Sequence, residues 1–254
     1  MINTATDYKK ILNTILDFGE LMVSVGAEIN RVEDTLTRLG LSYGAKRMNV
    51  FAVTNNIIVT LIVENGTIYT QSRRFQSNAG TDFTKLEKLN SLSRKKCGGI
   101  ISHDEFELEI SQIKSEKSNK LKICLGSMLA GGAFTLFFGG NVCDAAAAVV
   151  FAVAIYFLQA YFRAFCPNNI IFNLISSFIV GIGICAVSQL ASLNADKVII
   201  GDIMLLIPGI AFTNSMRDLL SGDTVTGIMR LVETVIWAAA LAIGFVLAIL
   251  AMGV

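Results

Sequence analysis

The chain has 254 residues, 53% of them hydrophobic, and a mean hydropathy of +0.60. This is too apolar for an ordinary soluble protein of its size, so we expect a lipid-facing part. The net charge of +1 conceals an asymmetry, because 17 of the 21 Lys and Arg residues and 14 of the 20 Asp and Glu residues precede position 123. The first half is therefore a mixed-charge, solvated domain rather than a basic arm, which argues against nucleic-acid binding.

Amphipathic helices are predicted at the start of this charged half. Apolar residues recur at spacings of three and four from Ile11 to Val25, and again from Ile29 to Leu39. The first helix should end at Gly26. On the wet side of the second, opposite charges stand at spacings that allow pairing: Glu28 with Arg31, and Asp34 with Arg38.

Three β-like runs and two further helices complete the charged half. Asn65-Gly66 separates the last two runs and is a strong hairpin signal, while Ser102 and Glu105 have the spacing of a capping box. The predicted elements are strands at 47–53, 57–63 and 67–74, and helices at 81–96 and 102–113. Residues 1–120 are therefore predicted to form a soluble α+β domain.

After Lys122 the chain consists of apolar runs that approach the ~20 residues needed to cross a bilayer. We predict a membrane α-helical fold in which the α+β domain precedes a bundle of about five transmembrane helices in residues 121–254. A soluble helical core is disfavoured because soluble helices rarely stack so many uncharged runs. The predicted spans are 121–139, 143–163, 170–191, 197–214 and 229–252.

The few positive charges in the second half predict the orientation of the spans. The N-terminus is polar and lacks the apolar core of a signal peptide, so we expect it to stay in the cytosol. Arg163, Arg217 and Arg230 then fall on cytoplasmic connections, and only Lys197 falls outside. Five crossings place the C-terminus on the outer side of a cytoplasmic membrane.

Asp202 is the clearest functional candidate within the predicted spans. A carboxylate near mid-bilayer costs ~2.5–3.5 kcal/mol on insertion scales, so it usually faces an interior. Six residues later, Pro208-Gly209 should interrupt the helix and expose backbone groups that transporters use around substrates or coupling ions. The alternative is a packing kink with Asp202 near the outer interface.

A polar stretch follows this break and adds further candidates for a substrate or proton pathway. Some of its members share a helix face by their spacing of three and four, and Arg230 is similarly close to the acidic residue that opens the last span. The alternative is a cytoplasmic turn with a helix N-cap at position 223. The candidates are Asn214, Arg217, Asp218, Asp223 and Glu233.

Signals for enzyme chemistry are weak. The five cysteines include no C-x-x-C pair, the single histidine follows a capping serine, and residues 222–227 lack the Lys-Ser/Thr of a P-loop. We predict no catalytic residues, metal or cofactor. Asp144 at the start of the second span is best interpreted as a helix cap.

Two motifs together give a family resemblance over nearly the whole chain. One is the stretch 26–35 and the other begins at Pro208-Gly209 and ends at Gly227. The chain resembles the threonine/serine exporter (ThrE-like) family, and its length is similar to the larger, YjjP-like subunit of the split form. The residues of the first motif are Gly26, Glu28, Arg31 and Glu33.

This resemblance implies efflux of small metabolites, either amino acids such as threonine and serine or dicarboxylates such as succinate. It also implies a small YjjB-like membrane partner. Assembly of the chain into a homo-oligomer is an open alternative. We expect proton coupling, since loss of water penalises the charged form of a buried carboxylate such as Asp202 or Glu233. One alternative is a membrane-anchored regulatory or scaffold protein whose soluble domain binds a cytosolic ligand. A hydrolase is disfavoured because Arg31 and Glu33, two apart on a helix, point in different directions.

Overall fold

The computed structural model describes residues 5–75 and 81–253, and within these ranges the chain is mostly helical with one small sheet. The sheet and four helices come first. Their bounds are α1 Ala5–Ser24, α2 Ile29–Ser42, β1 Arg47–Val53, β2 Asn56–Ile62, β3 Ile68–Arg74, α3 Phe83–Cys97 and α4 His103–Ser115. The remaining helices are α5 Lys120–Phe137, α6 Val142–Phe157, α7 Asn169–Ala191, α8 Ala195–Ile203, α9 Gly209–Leu220 and α10 Thr224–Met252.

The chain divides into two compact units. The first contains Met1–Glu116 together with Ile210–Leu231, and the second contains Lys117–Gly209 and Val232–Val254. Most of α9 and the first turns of α10 therefore belong to the first unit, although they lie far along the chain from the rest of it. The helices and the sheet confirm the predicted combination of a membrane-type helical protein with an N-terminal α+β part.

The sheet of the first unit is an antiparallel meander in the order β1-β2-β3. Buried and partly exposed residues alternate along β2, because successive side chains of a strand point to opposite faces. Ile57, Val59 and Leu61 form the buried face, which joins the core supplied by α1 and α2. Phe18 and Phe106 stack in this core, with ring centroids 5.4 Å apart.

The helix ends of the first unit follow their predicted chemistry. After α1, Gly26 takes a φ of +89°, a conformation in which glycine carries no steric penalty, and its N–H donates to the Val23 carbonyl. Before α4, Ser102 and Glu105 form the complete reciprocal capping box.

Four helices of the described residues are long and apolar enough to cross a membrane. Their outward surfaces carry large apolar side chains, including Leu129, Val150 and Leu250, which are exposed within the second unit. A soluble protein rarely exposes apolar surface of this extent, whereas lipid covers it without cost. These four helices are Lys120–Phe137, Val142–Phe165, Asn169–Ala191 and Thr224–Met252.

The predicted fourth span is not a single long helix. The short helix α8 ends at Ile203, a turn follows, and α9 begins at Gly209 after Pro208. The described helices therefore do not establish a fifth crossing. Helix α6 continues directly into a π-helical turn at Leu158–Phe162 and a 3₁₀ turn at Arg163–Phe165, and together these form the long helix Val142–Phe165.

Candidate functional site

Two polar sites emerge, one in each unit. The first is a charged cluster, which we define as seven side chains from α2, α9, the turn after α9, and α10. All of them belong to the first unit. The members of the charged cluster are Glu28, Glu33, Asn214, Arg217, Asp218, Asp223 and Arg230.

The turn between α1 and α2 meets α9 within this cluster. Asn214 donates from Nδ2 to the Gly26 carbonyl oxygen at 3.4 Å, and Arg217 forms an ion pair with Glu28. The Glu28 carboxylate is free to pair with Arg217 because Glu28 occupies the N-cap position of α2 but its side chain does not cap the helix. The i, i+3 spacing of Asn214 and Arg217 explains how one face of α9 reaches both groups.

Asp218 and Arg230 form the buried part of the charged cluster. Arg230 Nη1 donates to Asp218 Oδ2 at 3.1 Å, and the Asp218 side chain is 1% exposed. Burial raises the pKa of Asp218, the Arg230 guanidinium opposes that shift, and the nearby Asp223 carboxylate reinforces it. Asp223 Oδ2 is also buried and has no hydrogen-bond partner among the described residues.

Glu33 completes the charged cluster from the α2 side. Its Oε1 accepts a hydrogen bond from the Ala52 N–H of β1 at 2.7 Å. Burial raises the pKa of Glu33, the Ala52 hydrogen bond lowers it, and the Asp223 charge raises it. The cluster therefore combines four carboxylates with two guanidiniums, an excess of acid that favours retention of a proton or attraction of a cationic group.

One expectation about pairing is wrong. Glu28 pairs with Arg217, 189 positions away, and Arg31 forms no ion pair with any residue of the described part. Arg230 of α10 pairs with Asp218 of α9. Arg31 instead lines a groove between α2 and α3 of the first unit.

The second site surrounds Asp202 in the second unit. The side chain is fully buried, and neither carboxylate oxygen has a hydrogen-bond partner among residues 5–75 and 81–253. Gly131 of α5 allows the close approach, because a Cβ added there would lie 2.9 Å from Asp202 Oδ1. Thr135 donates its hydroxyl to the Gly131 carbonyl at 2.9 Å and so does not serve the carboxylate.

The helix interruption follows Asp202 directly. Its backbone carbonyl accepts from Leu205 N–H at 3.1 Å, in the turn that leads to Pro208 and Gly209. Gln159, from the π-helical turn of α6, donates to the Leu205 carbonyl at 3.4 Å. Two irregular backbone segments therefore meet beside the buried carboxylate, an arrangement found around transport sites.

Asp144 has a different environment from Asp202. It forms a capping box with Asn141, and its two oxygens also accept from the backbone and side-chain N–H groups of Asn194 at 2.9 and 2.8 Å. Asp144 therefore connects the start of α6 to the start of α8 and is fully paired. Glu233, by contrast, is exposed on α10 and has an interacting partner.

Several of these contacts have no signal in the amino-acid sequence. Asn194 was not distinguishable as the partner of Asp144, and Gln159 lies within an apolar run whose α-helical periodicity does not reveal a π-turn. In the described part of the chain, no group of three or more His, Cys, Asp or Glu side chains is arranged to hold a metal ion.

Several long apolar helices, together with an N-terminal α+β part and a buried carboxylate beside broken helices, define a multi-pass membrane protein of the transporter type. The model of the family described as "Putative threonine/serine exporter" matches residues 13–252, and the chain belongs to this family. The predicted resemblance is confirmed. Because members of the family are transporters, the chain is a transport protein and not an enzyme.

A curated relative supports the same assignment. The chain is 24% identical over 237 residues to a protein of Klebsiella aerogenes named "Probable succinate transporter subunit YjjP", covering 90% of this chain and 88% of the relative. No solved structure matches the chain significantly.

Proposed function

We propose that the chain is the larger subunit of a proton-coupled exporter in the bacterial cytoplasmic membrane. Its substrates would be small carboxylates, either amino acids such as threonine and serine or dicarboxylates such as succinate. A small YjjB-like membrane protein would complete the transporter, in agreement with the word "subunit" in the name of the relative. Membership of a transporter family favours this function over a membrane-anchored regulatory protein.

The fully buried, unpaired carboxylate of Asp202 is the observation that carries the proposal. An ionised carboxylate without hydrogen bonds is expensive to bury, whereas its protonated form is tolerated. A group that must gain a proton before its surroundings close, and lose it when water returns, can couple proton movement to export. The interruption at Pro208-Gly209 supplies the local backbone freedom for this opening.

The charged cluster is proposed to act as the cytoplasmic gate. Arg217 is half-exposed, and its pairing with Glu28 leaves the guanidinium accessible. A substrate carboxylate can replace Glu28 on Arg217, because a guanidinium binds any carboxylate in the same forked geometry. Release of Glu28 would then free α9 from the turn at Gly26, which Asn214 also contacts.

We also propose five crossings with the N-terminus inside and the C-terminus outside. The four long helices would supply four crossings, and the segment 197–214, broken at Pro208-Gly209, would supply the fifth. An odd number of spans in each subunit would give the pair inverted topology, which is common among secondary carriers. In a cysteine-free background, Asp196→Cys should react with an impermeant maleimide from outside, and Ser221→Cys only after permeabilisation. The opposite pattern would refute this orientation.

Flux in liposomes tests the function itself. The chain is reconstituted with and without the small partner, and efflux of labelled succinate, threonine and serine is followed under an imposed pH gradient. We expect gradient-driven efflux of at least one of these substrates only when both subunits are present. Absence of flux for all three, with correctly inserted protein, would contradict the proposed substrates.

A further inference from the structure

A groove between α2 and α3 has an arginine-rich lining that lies outside both the charged cluster and the Asp202 site. It has a volume of about 630 Å³ and belongs to the first unit. Arg31 and Arg38 stand seven residues apart on α2 and share a face, while Arg94 contributes from the last turn of α3. We call this feature the arginine groove.

The positive charge of the arginine groove is only partly neutralised. Asp34 is its one lining carboxylate, and it pairs with Arg38 at 2.9 Å. Neither Arg31 nor Arg94 forms an ion pair with another residue in the described ranges, although the neighbouring Lys95 pairs with Glu109. Three guanidiniums against one carboxylate leave the lining with a net charge of about +2.

Neutral polar groups and one thiol fill the spaces between the guanidiniums. Asn30 and Asn90 line the groove, and Ser93 is oriented by donating its hydroxyl to the Asn90 carbonyl at 3.0 Å. Cys97 also lines the groove and is exposed. Partial desolvation of its sulfur raises the pKa of this thiol, so it adds no negative charge near neutral pH.

We infer that the arginine groove binds a small metabolite dianion with two carboxylates, one held by Arg31 on α2 and the other by Arg94 on α3. A guanidinium binds a carboxylate through two parallel hydrogen bonds, and two unpaired guanidiniums on opposite walls match a ligand with an anionic group at each end. The volume lies within the ~300–1,000 Å³ of small-molecule sites. The arginine groove shares no residue with the charged cluster or with the Asp202 site, so a dianion bound there would regulate export without occupying the proposed transport path.

Helix α2 connects this site to the proposed gate. Arg31 and Arg38 face the arginine groove, while Glu28 and Glu33 of the same helix belong to the charged cluster. A dianion that draws α3 towards α2 changes the position of the helix that carries Glu28. Occupancy of the groove would thereby bias the Glu28–Arg217 pair, a coupling of two sites through one shared element.

Alkylation of Cys97 measures occupancy directly in the full chain. The detergent-solubilised protein is treated with iodoacetamide while the concentration of succinate, acetate or inorganic phosphate is varied up to ~10 mM. This is about ten times the Kd of ~1 mM that we expect for a small dianion. Peptide mass spectrometry follows Cys97, with exposed Cys143 of the other unit as the internal reference. We expect succinate to slow alkylation of Cys97 at least about threefold and to leave Cys143 unchanged.

Two arginine variants and one matched control complete the test. Arg31→Gln and Arg94→Gln should each raise the half-protecting succinate concentration about tenfold, since each removes one charge-assisted contact. Arg74→Gln, on the exposed face of β3, should have no effect. All three positions are exposed, so folding should persist.

Absence of protection by succinate, equal protection by acetate or phosphate, or an equal effect of Arg74→Gln would overturn the inference. The measurement needs neither the small partner nor a membrane gradient. A failure of export would therefore leave the result for Cys97 intact, and the two proposals can fail separately.

Discussion

The charged cluster contains two arginine–carboxylate pairs that differ in exposure, and this difference predicts different responses to the same substitution. The side chains of Arg230 and Asp218 are 13% and 1% exposed, whereas those of Arg217 and Glu28 are 57% and 18% exposed. Methionine retains most of the arginine stem and removes the charge. Arg230→Met should therefore leave the buried carboxylate of Asp218 without its cationic partner. Arg217→Met should leave the partly solvated carboxylate of Glu28 without its partner.

Removing one partner of a buried ion pair costs ~3–5 kcal/mol, and the lower end applies here because Arg230 keeps some contact with water. A loss of ~3 kcal/mol corresponds to a fall in Tm of ~6–12 °C, at ~2–4 °C per kcal/mol for a chain of this size. An exposed pair contributes ~0–1 kcal/mol, so Arg217→Met should lower the Tm by no more than ~4 °C.

The assay is a brief proteolysis pulse after heating the detergent-solubilised chain, with the heating rate fixed because unfolding of membrane proteins is often irreversible. The double variant Asp218→Asn/Arg230→Met serves as the control for charge burial, and it should regain most of the loss. Equal shifts for Arg217→Met and Arg230→Met, or a double variant no better than Arg230→Met, would refute the account of the buried pair.

The remaining predictions concern one carboxylate in each unit. Because burial raises the pKa of Glu33, the folded chain binds this proton more tightly than the unfolded chain, and stability should fall as pH rises from 4.5 through the raised pKa. Glu33→Gln should flatten the unfolding midpoint over that window and leave it equal or higher at pH 7; a steeper dependence would contradict the assignment. Asp144→Ala removes a helix cap and leaves the Asn194 donors unpaired, at a cost of ~2–4 kcal/mol. The fluorescence of Trp237, the single tryptophan and buried in the second unit, should report this loss, whereas exposed Asp196→Ala should change little.

Local chemistry explains which parts of the fold were predictable. The strand at 47–53 has its predicted bounds, and the predicted capping box at Ser102 is present, because each depends on residues within three or four positions. The four long apolar helices follow from length and composition alone.

The contacts that were not predictable from the sequence join residues that are far apart along the chain. Glu28 has a suitable partner three residues away in Arg31, but the structure pairs it with Arg217, which approaches only because α9 joins the first unit. Charge spacing along a helix predicts which neighbouring residues can form an ion pair. It does not predict whether a residue from a distant part of the chain will take one of these partners. The arginine groove depends on the same kind of approach, between α2 and α3.

Asp202 itself was predictable as a candidate residue, but the side chains and backbone that surround it were not. A carboxylate within an apolar run is energetically costly, which indicated a function for Asp202, and Pro208 predicted the nearby helix break. That Gly131 would approach the carboxylate without offering a hydrogen bond required the packing of α5 against α8. The same packing leaves Asp202 unpaired while Asp144 is fully paired.

Proton coupling through Asp202 is the central claim, and substrate exchange compared with gradient-driven flux tests it most directly. In liposomes with both subunits, Asp202→Asn should still exchange labelled for unlabelled substrate at a rate close to that of the unsubstituted chain, because exchange needs no net proton movement. The same variant should lose the acceleration of efflux by a pH gradient, while Asp196→Asn, exposed on the same helix, should keep it. Full pH-driven efflux from Asp202→Asn would contradict the claim.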